Sequence, residues 1–383
     1  MMSEVFIVSD NIISPLGCTT EKNFYELTRG NSAISLHTIP AFSPAPFYAS
    51  LLGEEQNNFL NDFDSEMDYS KFEKLLIASI TNALEGCDVD PASEETVIIV
   101  STTKGNISLL EKHTESDELH ERVALYTSAR LVCEYFQNPN TPIVVSNACI
   151  SGLTALITGR RLILSGRFKH AIVTGADVIS KFVLSGFQSF QAVSDQPCKP
   201  FDKNRNGITL GEAAGTVILS AEKNGDNPIT FVSGAVSNDA NHISGPSRTG
   251  EELCIAVKKA MKQAQVEPED ISFICAHGTA TVYNDEMEAK AFSLADLASV
   301  PINSLKGYFG HTLGAAGLIE SIVSIHSLHG GTVLPTAGYE QYGVTEEITI
   351  CDTPQIVKGN TILKTASGFG GCNAAVVFKK VYS

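Results

Sequence analysis

The sequence predicts a layered α/β protein of five layers, αβαβα, built from two duplicated half-domains. Three observations carry this prediction. Short β-branched runs ending in Gly, Ser or Asn alternate with Ala-rich helical stretches, as helices layered on sheets require. The same order of elements occurs in both halves of the chain, and so long a period denotes two similar domains rather than a solenoid. Two stretches, residues 153–165 and 315–328, are rich in Ala, Ile and Leu with few charges. Helices apolar on most faces belong inside, between sheets.

In the first half, VFIVSDNIISPLG reads as strand and turn, and TVIIVSTTKGN as strand and polar loop. PIVVSNACISGLTALITGRRLIL is strand, tight turn and helix, and HAIVTGADVI and GTVILSAEK are strands. In the second half, ITFVSGAVSNDANH, ISFICAHGTATVYND, VPINSLKGYFGHTLGAAGLIESIVSI, GTVLPTAGYE and AAVVFKKV repeat that series. The boundary falls near residues 223–227, within the polar, turn-prone EKNGDNP, giving halves 1–223 and 224–383. Residues 48–85 and 113–140 are more charged and predict peripheral helices.

Composition narrows the function. The chain has 383 residues, 43% hydrophobic and 18% charged, as an ordered core demands. A net charge of −16 argues against nucleic acid as a partner, since phosphate binding needs a basic face. The start, MMSEVFIVSDN, has no basic region or apolar core of a signal peptide, and no apolar run has membrane-spanning length. Nine scattered cysteines without CxxC suggest neither a disulfide framework nor a metal site, and fit a reducing cytoplasm. Arg160, Arg161, Arg167 and Lys169 form a local basic cluster, with Lys199, Lys203 and Arg205 following. The cluster admits two readings, a solvated helix face with a charged loop or a docking site for an acidic partner.

Three glycine-studded turns carry the chemistry: Cys149 in SNACISG, His277 in AHGTATVYND and His311 in LKGYFGHTLGAAG. Cys149 follows a strand and opens a helix, where N–H groups and the helix dipole favour a thiolate and lower the thiol pKa. A lone cysteine there is more often a buried apolar residue, and a lone histidine a satisfied one. Two histidines at duplicated strand ends, on the same rim as the cysteine, point instead to a shared site. A thiol takes an acyl group from a thioester, and two neutral imidazoles stabilise a developing oxyanion. That pairing suits carbon–carbon bond formation between acyl thioesters. SGFGGCNAA, with three glycines around Phe369, is either backbone that approaches a ligand or a structural turn before the last strand.

Together the motifs IISPLG, NACISG, PFDKNRNGITLGEAAG, HGTATVYNDEMEA, KGYFGHTLGAAG and GFGGCNAA resemble the β-ketoacyl-acyl carrier protein synthases of the thiolase superfamily, the elongating Cys-His-His type. The resemblance implies a thiolase-like fold and a decarboxylative condensation with malonyl-acyl carrier protein, in fatty acid or polyketide/polyene-type lipid synthesis. It implies Cys149 as nucleophile, with the N–H groups of Cys149 and Phe369 as its oxyanion hole. His277 and His311 would bind the malonyl thioester, Lys306 would orient and tune them, and Glu320 would partner Lys306. Phe369 would gate the acyl pocket. The family carries no organic cofactor, acts with acyl carrier protein and is dimeric, here a homodimer or a heterodimer. Three departures, Ser367 before the gate, GEAAG for GEGAG and Cys372 for the threonine of GGTN, bear on acyl-chain length and shape. So does the somewhat short chain, which implies trimmed loops.

The rival from another class is a non-catalytic chain-length-factor-like subunit, which typically lacks the cysteine retained here. A degradative thiolase would use a second cysteine, for which Cys372 is the candidate, but AHGT and the Lys306–His311 spacing resemble the synthases. The starter-type Cys-His-Asn synthases are disfavoured by the second histidine. A cysteine hydrolase has no water-activating arrangement to support it.

Overall fold

The computed structural model describes residues 4–63, 67–111, 113–225, 228–239 and 245–382. Residues 1–3 of the chain start, Asp226 and Asn227 of the boundary segment, and Ala240, Asn241 and His242 lie outside them.

Ten strands fall into two groups of five with one topology. In the first, Ile143–Val145, Thr96–Ser101, His170–Asp177, Ala213–Ser220 and Phe6–Ile13 lie side by side, which in chain order is 3-2-4-5-1. In the second, Ile302–Asn303, Ile271–Cys275, Thr361–Gly368, Cys372–Lys380 and Ile229–Asn238 lie in the same order. Strand directions match too: strands 2, 3 and 4 are mutually parallel, and strand 5 is antiparallel to both 4 and 1. A short antiparallel pairing, Phe6 with Thr230 and Ile7 with Ile229, joins the groups.

The second half corrects one strand of the expected series. GTVLPTAGYE does not enter the large sheet; only Thr332–Val333 is extended, paired with Gln355–Ile356. Pro335 has no N–H for a ladder, and Gly338 turns through φ +86°. The fourth strand is Thr361–Gly368 instead.

Three apolar cores separate the layers. The central one combines both inner sheet faces with helices Ser151–Leu164 and Ala316–Gly330, whose residues Leu153, Leu156, Leu318 and Ile322 are buried. A second core lies under helices Glu251–Ala264 and Val282–Leu294, outside the second group. A third lies under Lys71–Leu84 and Leu125–Tyr135, outside the first. The order is thus helix, sheet, helix, sheet, helix. The stretches expected to be peripheral supply one outer layer. No helix among the described residues is long and apolar enough to cross a membrane.

Candidate active site

Two close backbone approaches bring the turns together. Gly152 and Gly317 are each the second residue of a central helix. A Cβ on Gly152 would lie 2.8 Å from Leu318 N, and one on Gly317 would lie 2.8 Å from Leu153 N. Only glycine permits helices to cross so closely. The crossing sets the turns that precede the helices side by side, and His311 Nε2 lies 3.0 Å from Cys149 Sγ. His277, just past the strand Ile271–Cys275, meets His311 edge-on, with ring centroids 5.2 Å apart. The thiol and one nitrogen of each ring lie within 4.8 Å of one another.

Each turn has its own brace. Ala148 takes a left-handed φ of +45° and turns Cys149 out of its strand. His311 donates its N–H to Thr209 O at 2.6 Å and accepts from Gly211 N at 3.0 Å, so the GITLGE segment clamps its backbone. The His277 and Gly278 N–H groups donate to Glu288 at 2.7 and 2.6 Å. Glu288 rides on Val282–Leu294, whose N-cap is Thr281. Asp177, at the end of its strand, accepts from Thr103 N, Lys104 N and, at 2.6 Å, Gly314 N. It thereby ties a loop of the first half to the start of the second central helix.

The hydrogen bonds fix both imidazole tautomers. Lys306 Nζ lies 2.6 Å from His277 O, 2.6 Å from Glu320 Oε1 and 3.1 Å from His277 Nδ1. An ammonium only donates, so Nδ1 accepts and the proton of neutral His277 sits on Nε2. His311 Nδ1 accepts from Leu313 N at 3.3 Å, which places its proton on Nε2 as well. Burial, then the Lys306 cation, hold both rings well below the usual imidazole pKa, so they are neutral at pH 7. Two N–H donors therefore meet beside the thiol, an arrangement that stabilises an oxyanion. The donor types are ones zinc accepts. Protonated Nε2 atoms backed by two ammonium groups, Lys306 and Lys364, suit an anion instead.

The thiol corrects one expectation. Burial pushes Cys149 up to about 12, opposite to the direction implied by a helix N-terminus. The cause is desolvation of a thiol enclosed by the fold. The Ile150 and Ser151 N–H groups are spent on Asn147 O and Ala148 O, and the helix proper begins only at Ser151.

A cavity of about 450 Å³ opens on Cys149, His277 and His311. At its mouth Phe369, 40% exposed, packs against Phe187 and Phe190, each 5.8 Å away between ring centroids. Ser367 lies inside, its hydroxyl donating to Asn373 Oδ1 at 2.7 Å. Cys149, His277, His311 and Phe369 thus line one cavity, and Lys306 and Glu320 stand behind His277.

The basic cluster is not brought to it. Arg160 donates within the fold, to Phe231 O at 2.8 Å and to Val232 O. Lys169 pairs with Glu95 at 2.8 Å, and Arg161 and Arg167 are exposed. The cluster sits at the far end of the Ser151–Leu164 helix, about 15 Å along its axis from the Cys149 turn. Asp177, Asp285, Glu288 and Lys364 were not singled out from sequence. The acidic residues of NDEMEA, eight to eleven residues past a turn histidine, are the one signal that pointed to Glu288.

Against known proteins, residues 2–224 match the profile described as the N-terminal domain of beta-ketoacyl synthase. This chain belongs to the β-ketoacyl synthase family. The C-terminal domain profile of the same family matches residues 230–340. Among relatives, the ketoacyl synthase alpha subunit of tetracenomycin polyketide synthase from Streptomyces glaucescens is 29% identical, over 98% of this chain and 97% of its own. The 3-oxoacyl-[acyl-carrier-protein] synthase 2 of Vibrio cholerae is 28% identical, over 98% and 99%. In fold, the chain matches a structure of the ishigamide ketosynthase/chain length factor with TM-score 0.89 at 23% identity, covering all of both chains. It also matches one of a ketosynthase in complex with its chain length factor from Xenorhabdus doucetiae, with TM-score 0.86 at 24% identity, over 99% of this chain and 98% of that one. The thiolase-like fold is thus that of the ketosynthases. As a family member with fatty acid and polyketide synthase relatives, this chain is an acyl-transferring condensing enzyme rather than a non-catalytic subunit.

Proposed function

We propose that this β-ketoacyl synthase is a 3-oxoacyl-acyl carrier protein synthase that condenses a Cys149-bound acyl group with malonyl-acyl carrier protein. The observation that carries the reading is the pair of neutral Nε2–H donors, His277 and His311, converging on a buried thiol. In the first half-reaction Cys149 Sγ attacks the acyl thioester carbonyl. Its proton passes to the departing carrier thiol, so one thioester replaces another with no net proton change. Gly368 abuts the nucleophile, since a Cβ there would lie 3.0 Å from Cys149 N. This supports the N–H groups of Cys149 and Phe369 as the oxyanion hole. In the second half-reaction the malonyl thioester carbonyl accepts from His277 and His311. The C–C bond to its carboxylate breaks, carbon dioxide leaves, and the electron pair forms an enolate. The enolate carbon attacks the Cys149 thioester, and the C–S bond breaks to release 3-oxoacyl product and thiolate, which takes one proton from solvent. Each oxyanion donor is worth about 10²–10³ in rate in a site shielded from water.

Lys306 and Glu320 position His277 in this scheme, and Phe369 gates the acyl chain between Phe187 and Phe190. The chain divides functionally into 1–223, which carries the nucleophile, and 224–383, which carries His277, Lys306 and His311. The split between family profiles at residues 224 and 230 supports it. Its partners are acyl carrier protein and a second subunit of like fold, and the complex of a structural neighbour with its chain length factor supports a paired state. Exposed Arg161 and Arg167 remain candidates for carrier contact, and charge reversal there must weaken carrier binding. The test of the scheme separates its halves. His277→Ala and His311→Ala must keep Cys149 acylation, read by intact mass, and lose malonyl decarboxylation. Loss of acylation with decarboxylation intact would reverse the assignment.

A further inference from the structure

Behind the histidines lies a buried charge chain longer than the Lys306–Glu320 pair. Lys364, in the middle of Thr361–Gly368, is wholly buried. Its Nζ donates to Thr365 O at 2.7 Å and Ala276 O at 3.1 Å, and lies 2.6 Å from Glu320 Oε2. Two carbonyls thus accept hydrogen bonds from the ammonium, and Glu320 Oε2 neutralises it as an ion-pair partner without hydrogen-bond geometry. The other Glu320 oxygen faces Lys306 at 2.6 Å, and Lys306 holds His277 through both Nδ1 and O. Ala276 O, which Lys364 holds, belongs to the residue just before His277.

Among the described residues, several titratable groups pack on this array: Cys149 Sγ lies 3.0 Å from His311 Nε2, and Cys198 Sγ lies 3.2 Å from Lys306 O. Cys275 comes from the neighbouring strand, His277 and His311 from the turns, and Glu320 from the central helix. Asp285 and Glu288 come from Val282–Leu294, Lys306 from the short helix Lys306–Phe309, and Arg205 lies 3.8 Å beyond Asp285. A lysine amid such burial would ordinarily lose its proton. The carboxylates of Glu320 and Glu288 outweigh that effect and hold Lys364 above its usual value, so it stays charged.

We infer that Lys364 is a positioning residue for the decarboxylating half-reaction: it anchors the second Glu320 oxygen and the Ala276 carbonyl, and so fixes Lys306 and the proton-bearing nitrogen of His277. The inference rests on the proposed division of labour between Cys149 and the two histidines. Lys364 touches neither thiol nor substrate in this account. It acts through Glu320 and Lys306, and through the field its charge exerts on His277 and His311, both of which it pushes down.

Lys364→Met, which keeps the volume and removes the charge, tests this in the full-length enzyme. Cys149 acylation by acyl carrier protein is read by intact mass, and malonyl-acyl carrier protein decarboxylation by carbon dioxide release from pH 5 to 9. The expected result is acylation within about twofold of wild type and decarboxylation at pH 7 lowered about tenfold or more. Without the nearby cation the imidazoles protonate more readily, so the acid limb of the decarboxylation profile moves up by about one pH unit. Lys364→Arg, which keeps the charge, must leave the limb in place. If Lys364→Met folds poorly, Lys364→Gln carries the same test. A folded variant with an unmoved acid limb, or failure of all three to fold, would reduce Lys364 to a structural residue and overturn the inference. Failure of the underlying reading looks different, since wild type itself would then neither acylate Cys149 nor release carbon dioxide.

Discussion

One methyl group at the helix crossing tests how the site is assembled. In Gly152→Ala the new Cβ would sit 2.8 Å from Leu318 N, 3.2 Å from Gly314 O and 3.2 Å from Leu318 Cγ. Two of those neighbours are backbone and cannot swing aside, so the helices must part by several tenths of an ångström. Overpacking of this kind costs about 1–3 kcal/mol. Alanine favours a helix over glycine by only about 0.8–1 kcal/mol, so the cost wins. For a chain of this length the melting temperature falls by about 1–3 °C. Function suffers more, because the crossing sets the 3.0 Å between His311 Nε2 and Cys149 Sγ. Misplacement on this scale lowers condensation about tenfold to a hundredfold. Gly186→Ala is the internal control: it lies mid-helix in Lys181–Ser189 with nothing within 4 Å of the added Cβ. There the same substitution stabilises by about 0.5–1 kcal/mol. Calorimetric melting of both variants, with condensation rates alongside, gives opposite signs. Gly152→Ala melting at or above wild type with full activity would refute the crossing as the device that sets the site.

Three further outcomes follow from the site. With Cys149 held at about 12, its alkylation by iodoacetamide rises about tenfold per pH unit from pH 7 to 10, and a plateau below pH 8.5 would contradict the burial argument. His277 and His311 have folded pKa values depressed below 6.5, so their contribution is complete above pH 6.5 and is lost as pH falls through it. Melting of wild type between pH 7.5 and 5.5 should lose up to about 2.5 kcal/mol more than the His277→Asn/His311→Asn variant, whereas equal losses would count against neutral buried rings. Phe369→Ala, at a half-exposed aromatic contact, should cost under about 1.5 kcal/mol of stability while broadening the acyl chains that load Cys149. An unchanged chain profile would remove Phe369 as the gate.

Most of the site was legible because each of its parts breaks a local pattern. Cys149, His277 and His311 interrupt glycine-studded strand-to-helix turns, and Lys306 and Glu320 flank the last of these. Gly152 and Gly317 gave no such signal alone, since their need appears only when two helices cross. Lys364 was hidden twice over. TILKTASG was not recognised as a strand, and a lysine within one ordinarily points to solvent; only the carboxylates of Glu320 and Glu288, brought in by other elements, make its burial tolerable. The thiol misled for a similar reason: sequence shows a helix start, but not how completely the folded chain encloses Cys149. Arg160 shows the limit of charge counting, because its guanidinium serves two carbonyls of the neighbouring sheet.

The most direct test of the account is intact mass of the protein after incubation with acyl carrier proteins bearing chains of graded length and unsaturation, followed by malonyl-acyl carrier protein. The account predicts an acyl mass on wild type, absent from Cys149→Ala, that disappears on malonyl addition as 3-oxoacyl carrier and carbon dioxide form. Folded wild type that takes up no acyl group from any carrier, or that holds one without releasing it on malonyl addition, would contradict it.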